Sequence, residues 1–163
     1  PASATGNLMA VVGVLTLVSA LPSGALADRF GPKRLLILAG LGATVGTVLL
    51  VLSPNLIMVY VAGSFIGLAA GVFMTTNWTL GTQLVPREES GRFLGMSNLA
   101  GAGAGAFGAG IGGPLADFFN AQQPGLGYLV IFAIFAMCFI LSVVVLFCVR
   151  GEERAAQAQV PQA

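Results

Sequence analysis

Six side chains able to hydrogen-bond or stack stand inside long apolar runs: Thr16, Ser19, Thr76, Asn77, Trp78 and Asn98. Hydroxyls and carboxamides donate and accept hydrogen bonds, and an indole offers a flat ring for stacking. That is chemistry for holding a small solute, not for breaking its bonds. Histidine is absent from the 163 residues. No spacing in the chain makes a nucleophile–base pair, a metal-ligand cluster or a nucleotide loop. An enzyme is therefore not expected, nor a cofactor or bound metal. The two cysteines, Cys138 and Cys148, share one apolar run. Ten residues apart on a helix they are separated by about 15 Å, too far for a disulfide, and they read as small apolar filler.

The elements that must position these residues follow from composition. The chain is 56% hydrophobic and 8% charged, against about 25% charged in an ordinary soluble domain. Its solvent must be lipid. A bilayer core needs about 20 apolar residues of helix, and uncharged runs divide the chain at that length. An all-α integral membrane protein is expected, with five spans near residues 5–25, 35–52, 56–84, 93–115 and 128–149. Residues 53–55 form a tight link, residues 117–127 a polar loop, and residues 150–163 a polar tail. All seven basic residues fall in the 28–34 stretch, the 87–92 stretch and the tail. Five spans put those three segments on one side, which the positive-inside rule makes cytoplasmic. A net charge of +1 argues against nucleic-acid binding. The chain opens on Pro1, with no charged leader or small-residue cleavage site, so the start of the protein is expected to lie upstream.

Depth can be read at 1.5 Å per residue. Asn77 and Trp78 lie about nine residues before Pro86, hence about 13 Å inside the boundary. Thr16 and Ser19 reach a similar depth from Asp28; Asn98 is shallower. An amide in hydrocarbon costs several kcal/mol unless it is paired, so Asn77 and Asn98 must face protein or a wet cavity. Each has two readings, a helix-to-helix hydrogen bond or a contact with solute. The 23 glycines are also arranged. Gly63, Gly67 and Gly71 recur every four residues, as do Gly42 with Gly46, Gly101 with Gly105, and Gly108 with Gly112. Small-residue steps of that kind let helix backbones approach closely in lipid.

Four charged residues fall within seven positions between the first two spans: Asp28, Arg29, Lys33 and Arg34. The stretch Gly24-Ala-Leu-Ala-Asp28-Arg29-Phe30-Gly31-Pro32-Lys33-Arg34 resembles the signature loop of the major facilitator superfamily, G-x-L-A-D-R-x-G-R-K-R. It departs only at Pro32, where a basic residue is common. The resemblance covers the whole chain, because the span pattern fits as well. It implies part of an all-α transporter fold, either helices two to six or helices eight to twelve. The short polar tail after the fifth span and the absence of an arginine from the third favour the second, with residues 1–149 as a partial C-terminal bundle. The resemblance also implies a missing N-terminal half as partner and a small solute moved by alternating access across the plasma (inner) membrane. By the same resemblance Gly24, Asp28, Arg29, Gly31, Lys33, Arg34 and Arg92 form a conformational latch; Asp28, at a helix end, can pair with Arg92 or with the positive N-terminal end of a neighbouring helix. Thr16, Ser19, Thr76, Asn77, Trp78 and Asn98 become the solute layer. Gly110-Ile-Gly112-Gly113-Pro114 resembles the glycine-proline motif of drug antiporters but lacks its trailing glycine pair. No carboxylate lies between Arg34 and Arg87 or between Arg92 and Asp117, so proton coupling through this half is not expected. The amide-plus-Trp layer leans toward a sugar or polar metabolite over a drug. The competing reading is a five-span scaffold that assembles partners through its glycine faces.

Overall fold

The computed structural model describes residues 2–85 and 89–148. The tail, with Arg150 and Arg154, lies outside the described residues, as do Val149, Pro86, Arg87 and Glu88. Five helices follow one another: α1 (Ala2–Phe30), α2 (Pro32–Val51), α3 (Leu56–Leu84), α4 (Ser90–Gln122) and α5 (Leu126–Cys148). No strand occurs among the described residues.

The connections are shorter than the charge pattern predicts. Only Gly31 separates α1 from α2; its φ of 86° is costly for any residue with a Cβ. Pro32 then opens α2 at a position where its missing N–H is no loss. Asp28 and Arg29 thus sit in the last turn of α1, and Lys33 and Arg34 in the first turn of α2. Between α2 and α3, the Asn55 side chain accepts a hydrogen bond from the Met58 N–H at 3.0 Å, capping α3. The expected polar loop at 117–127 is mostly helix. Asp117 to Gln122 continue α4, because polar side chains do not themselves end a helix. The chain turns only at Gln123–Gly125, where Gly125 has φ 90°. Asn120 Oδ1 accepts hydrogen bonds from the N–H groups of Gly125 (3.1 Å) and Gly127 (2.9 Å) and holds that turn.

The chain divides into two compact units. The first contains α1, α2, α3 and the Phe135–Cys148 end of α5; the second contains α4 and the Leu126–Ile134 start of α5. In the first unit α3 packs along both α1 and α2. Successive contacts of Tyr60 with Ala4, Gly63 with Leu8, Gly67 with Val12 and Thr75 with Ala20 hold a near-constant offset, so α1 and α3 run parallel. Gly46 against Ala62, and Gly42 against Ala69, place α2 antiparallel to α3. A Cβ on Gly67 would sit 2.7 Å from the Val12 carbonyl oxygen, and one on Gly46 would sit 3.0 Å from that of Ala62. Two of the predicted glycine faces are therefore helix seams, held by close backbone approach and not by apolar burial. The α4 glycines differ. Gly101, Gly105, Gly108 and Gly112 have open space where a Cβ would stand.

Among the described residues, four helices are long and apolar enough to cross a membrane: α1, α2, α3 and α5, with mean hydropathies of 1.9, 2.0, 2.2 and 3.2. The residues of the expected fourth span, 93–115, lie within α4, a helix of 33 residues. Its run of glycines leaves it less apolar, and it falls outside that group.

Candidate functional site

The predicted layer is best followed along the α1–α3 seam. A threonine or serine inside a helix commonly turns its hydroxyl back to the carbonyl a turn earlier, and this seam uses that habit. The Thr16 hydroxyl lies 2.8 Å from the Val12 carbonyl and 3.1 Å from that of Gly67 on α3, so one hydroxyl serves both helices. Ser19 is buried and donates to the Thr16 carbonyl at 3.1 Å. Gly71 lies directly against this pair; a Cβ there would collide with Ser19 Oγ and the Thr16 carbonyl oxygen. Thr16 and Ser19 are thus brought together, and both are engaged in packing α1 on α3.

Thr76 belongs to the same unit and is fully buried, yet its hydroxyl has no hydrogen-bond partner among the described residues. Asn77 and Trp78, the next residues of α3, are exposed on this unit, Trp78 by 49%. Met74, exposed by 62%, precedes them by three and four positions, so the three side chains share one helix face. That strip of thioether, carboxamide and indole is uncovered in its unit. Asn98 is exposed on α4 in the second unit.

The signature residues occupy the end of α1 and the start of α2. Asp28, Arg29 and Arg34 are exposed, Lys33 is half-buried and takes part in further contacts, and Gly24 has open space beside it. The Arg29 guanidinium lies over the Phe30 ring, 5.4 Å from its centroid. Arg92, exposed in the first turn of α4, belongs to the second unit.

Some positioning residues escape a reading by depth and type. Ser23, buried and bonded to the Ser19 carbonyl at 2.5 Å, continues the seam, as do Thr75 to Ala20 (3.4 Å) and Tyr60 to Ala4 (3.3 Å). Their one sequence signal is position: Ser23 follows Ser19 by four, and Thr75 follows Gly71 by four. No group of three or more residues able to hold a metal ion occurs among the described residues. What the arrangement offers a solute is one uncovered amphipathic strip on α3, backed by a tightly hydrogen-bonded seam.

Comparison with known proteins gives a consistent picture. The family model described as Major Facilitator Superfamily matches residues 1–163. The chain is 32% identical over 145 residues to the "Multidrug resistance protein MdtG" of Escherichia coli O1:K1 / APEC, covering 87% of this chain and 34% of that one. The same values hold for the proteins of that name from Escherichia coli O139:H28 (strain E24377A / ETEC) and strain K12 / DH10B. The chain spans about a third of the length of the curated relatives it matches. No solved structure matches it.

Proposed function

Because the chain belongs to the major facilitator superfamily over its whole length and is an integral membrane protein, we propose that it forms part of a secondary transporter. In this reading it supplies helices eight to twelve. The other half of the molecule closes a cavity against it, and the two halves rock to expose the solute to each side in turn. The charged end at residues 28–34 faces the cytoplasm of a bacterial inner membrane. There Asp28, Arg29, Lys33 and Arg34 latch one of the two states, with Gly24 and Gly31 shaping the junction. A scaffold without transport is the poorer account of a chain that matches this family throughout.

The observation that carries the solute reading is the uncovered strip Met74–Asn77–Trp78. A thioether and an indole offer apolar, polarizable surface with a single carboxamide between them. That suits a lipophilic solute with one or two polar groups. The matched relatives carry multidrug resistance in their names, and nothing in the comparisons supports the lean toward a sugar. Thr16 and Ser19 act from behind, fixing the register of α1 and α3 so that the strip stays presented.

Ethidium efflux from cells expressing the intact protein, at matched membrane levels, tests this reading. The unaltered protein lowers cell-associated ethidium, and Trp78→Ala weakens apparent affinity about tenfold. Efflux unaffected by Trp78→Ala sinks the site. Sugar uptake in place of any lipophilic efflux sinks the solute class.

A further inference from the structure

We propose that the groove between α2 and α3 binds an anionic glycerophospholipid, one acyl chain lying in the groove and the phosphate held at Arg29 and Arg34. The groove has a volume of about 240 Å³ and apolar walls throughout, among them Leu38 and Gly42 of α2, Phe65, Leu68 and Val72 of α3, and Leu26 at the end of α1. Leu38 is 65% exposed, and Phe65 and Leu68 about two-fifths, so the groove opens outward along the helices. From Leu35 to Gly42 it follows about 10 Å of α2, starting directly after the charged residues Lys33 and Arg34 and running toward the middle of the span. That is the course of an acyl chain descending from a headgroup.

Charge at the mouth names the headgroup. Arg29 follows Leu26 by three residues on α1, and Arg34 precedes Leu38 by four on α2. Residues so spaced share a helix face, so an exposed arginine stands beyond an apolar rim residue on each side, at the same end. Three basic residues face one acid there: Arg29, Lys33 and Arg34 against Asp28. The first turn of α2 holds no acidic residue, so Arg34 lies unfavourably at the positive end of its dipole. A phosphate between the arginines relieves that and makes charge-assisted hydrogen bonds. A zwitterionic headgroup would bring an ammonium that the same cations repel.

The intact protein in detergent micelles would be irradiated with a phosphatidylglycerol bearing a diazirine midway along one chain, and labelled peptides mapped by mass spectrometry. Label should concentrate in residues 35–42 and 65–72. A phosphatidylethanolamine probe with the same chains should label them several-fold less, the arginines favouring an anion by roughly fivefold each. The double variant R29Q/R34Q should lower phosphatidylglycerol labelling by about fivefold for each arginine removed, without changing label elsewhere. Equal labelling by both headgroups, label spread evenly over the helices, or no effect of the double variant would overturn the proposal. So would an unlabelled groove, the result if another helix of the intact protein covers it. If R29Q/R34Q does not elute as a single species, the headgroup comparison on the unaltered protein decides.

Discussion

Thr76 is the residue whose environment is least comfortable. Four hydroxyl side chains are buried among the described residues: Ser19, Ser23, Thr47 and Thr76. The first three donate to carbonyls of their own helix, Thr47 to Ala43 at 2.8 Å; Thr76 does not. An unpaired buried hydroxyl costs about 1–3 kcal/mol. Thr76→Val, nearly the same shape without the hydroxyl, should therefore stabilise the intact protein by about 1 kcal/mol. A rise in its thermal unfolding midpoint is the readout, and a fall would mean the hydroxyl has a partner. Asn120 is the opposite case, one oxygen serving two backbone N–H groups. Asn120→Ala should cost about 1–2 kcal/mol and speed hydrogen exchange at Gly125 and Gly127; unchanged exchange there would contradict it. Residue type and position along a helix were legible in the sequence. Azimuth was not. Thr16 and Asn77 are both polar and both inside long helices, yet Thr16 bonds across a seam and Asn77 stands on an uncovered face, a difference only the neighbouring helix creates.

Among the elements, α3 organises the first unit because it carries two seams at once. Its glycines at 63, 67 and 71 receive α1, while Ala62 and Ala69 meet the small residues of α2. Spacing by fours was plain in the sequence, but the same spacing in α4 leads to open space. Spacing belongs to one helix, and contact belongs to two. The seam separates the consequences of two identical substitutions. Gly71→Ala forces a Cβ onto the Thr16 carbonyl and should destabilise by about 1–3 kcal/mol. Gly13→Ala, with nothing within 4 Å, should be neutral or stabilising by up to about 1 kcal/mol through helix propensity. Thermal midpoints of the two variants give the comparison, and equal effects would refute the seam. Helix ends were less legible. Charge marks where water begins but does not break a helix, so α1 runs on through Asp28 and Arg29, and α4 through Asp117 and Asn120. Gly31 and Gly125, the two positive-φ residues among those described, are where the chain turns after α1 and after α4.

At the scale of the molecule, the five-helix, all-α architecture and the family were legible from composition and one charged stretch. The solute was not, because its recognition depends on what faces the strip on α3. The account turns on that strip lying in a water-accessible path and not against lipid or a packed helix. The direct measurement is cysteine labelling of Asn77→Cys in the intact protein, with Cys138, Cys148 and any other cysteine replaced. It is made in membrane vesicles with a hydrophilic maleimide that needs water to reach a thiolate. The account predicts that Cys at position 77 reacts, and that excess ethidium protects it while leaving a control cysteine at Ser53 reactive. A position 77 thiol that stays unreactive in both membrane orientations, or reacts without protection by any transported solute, would contradict it.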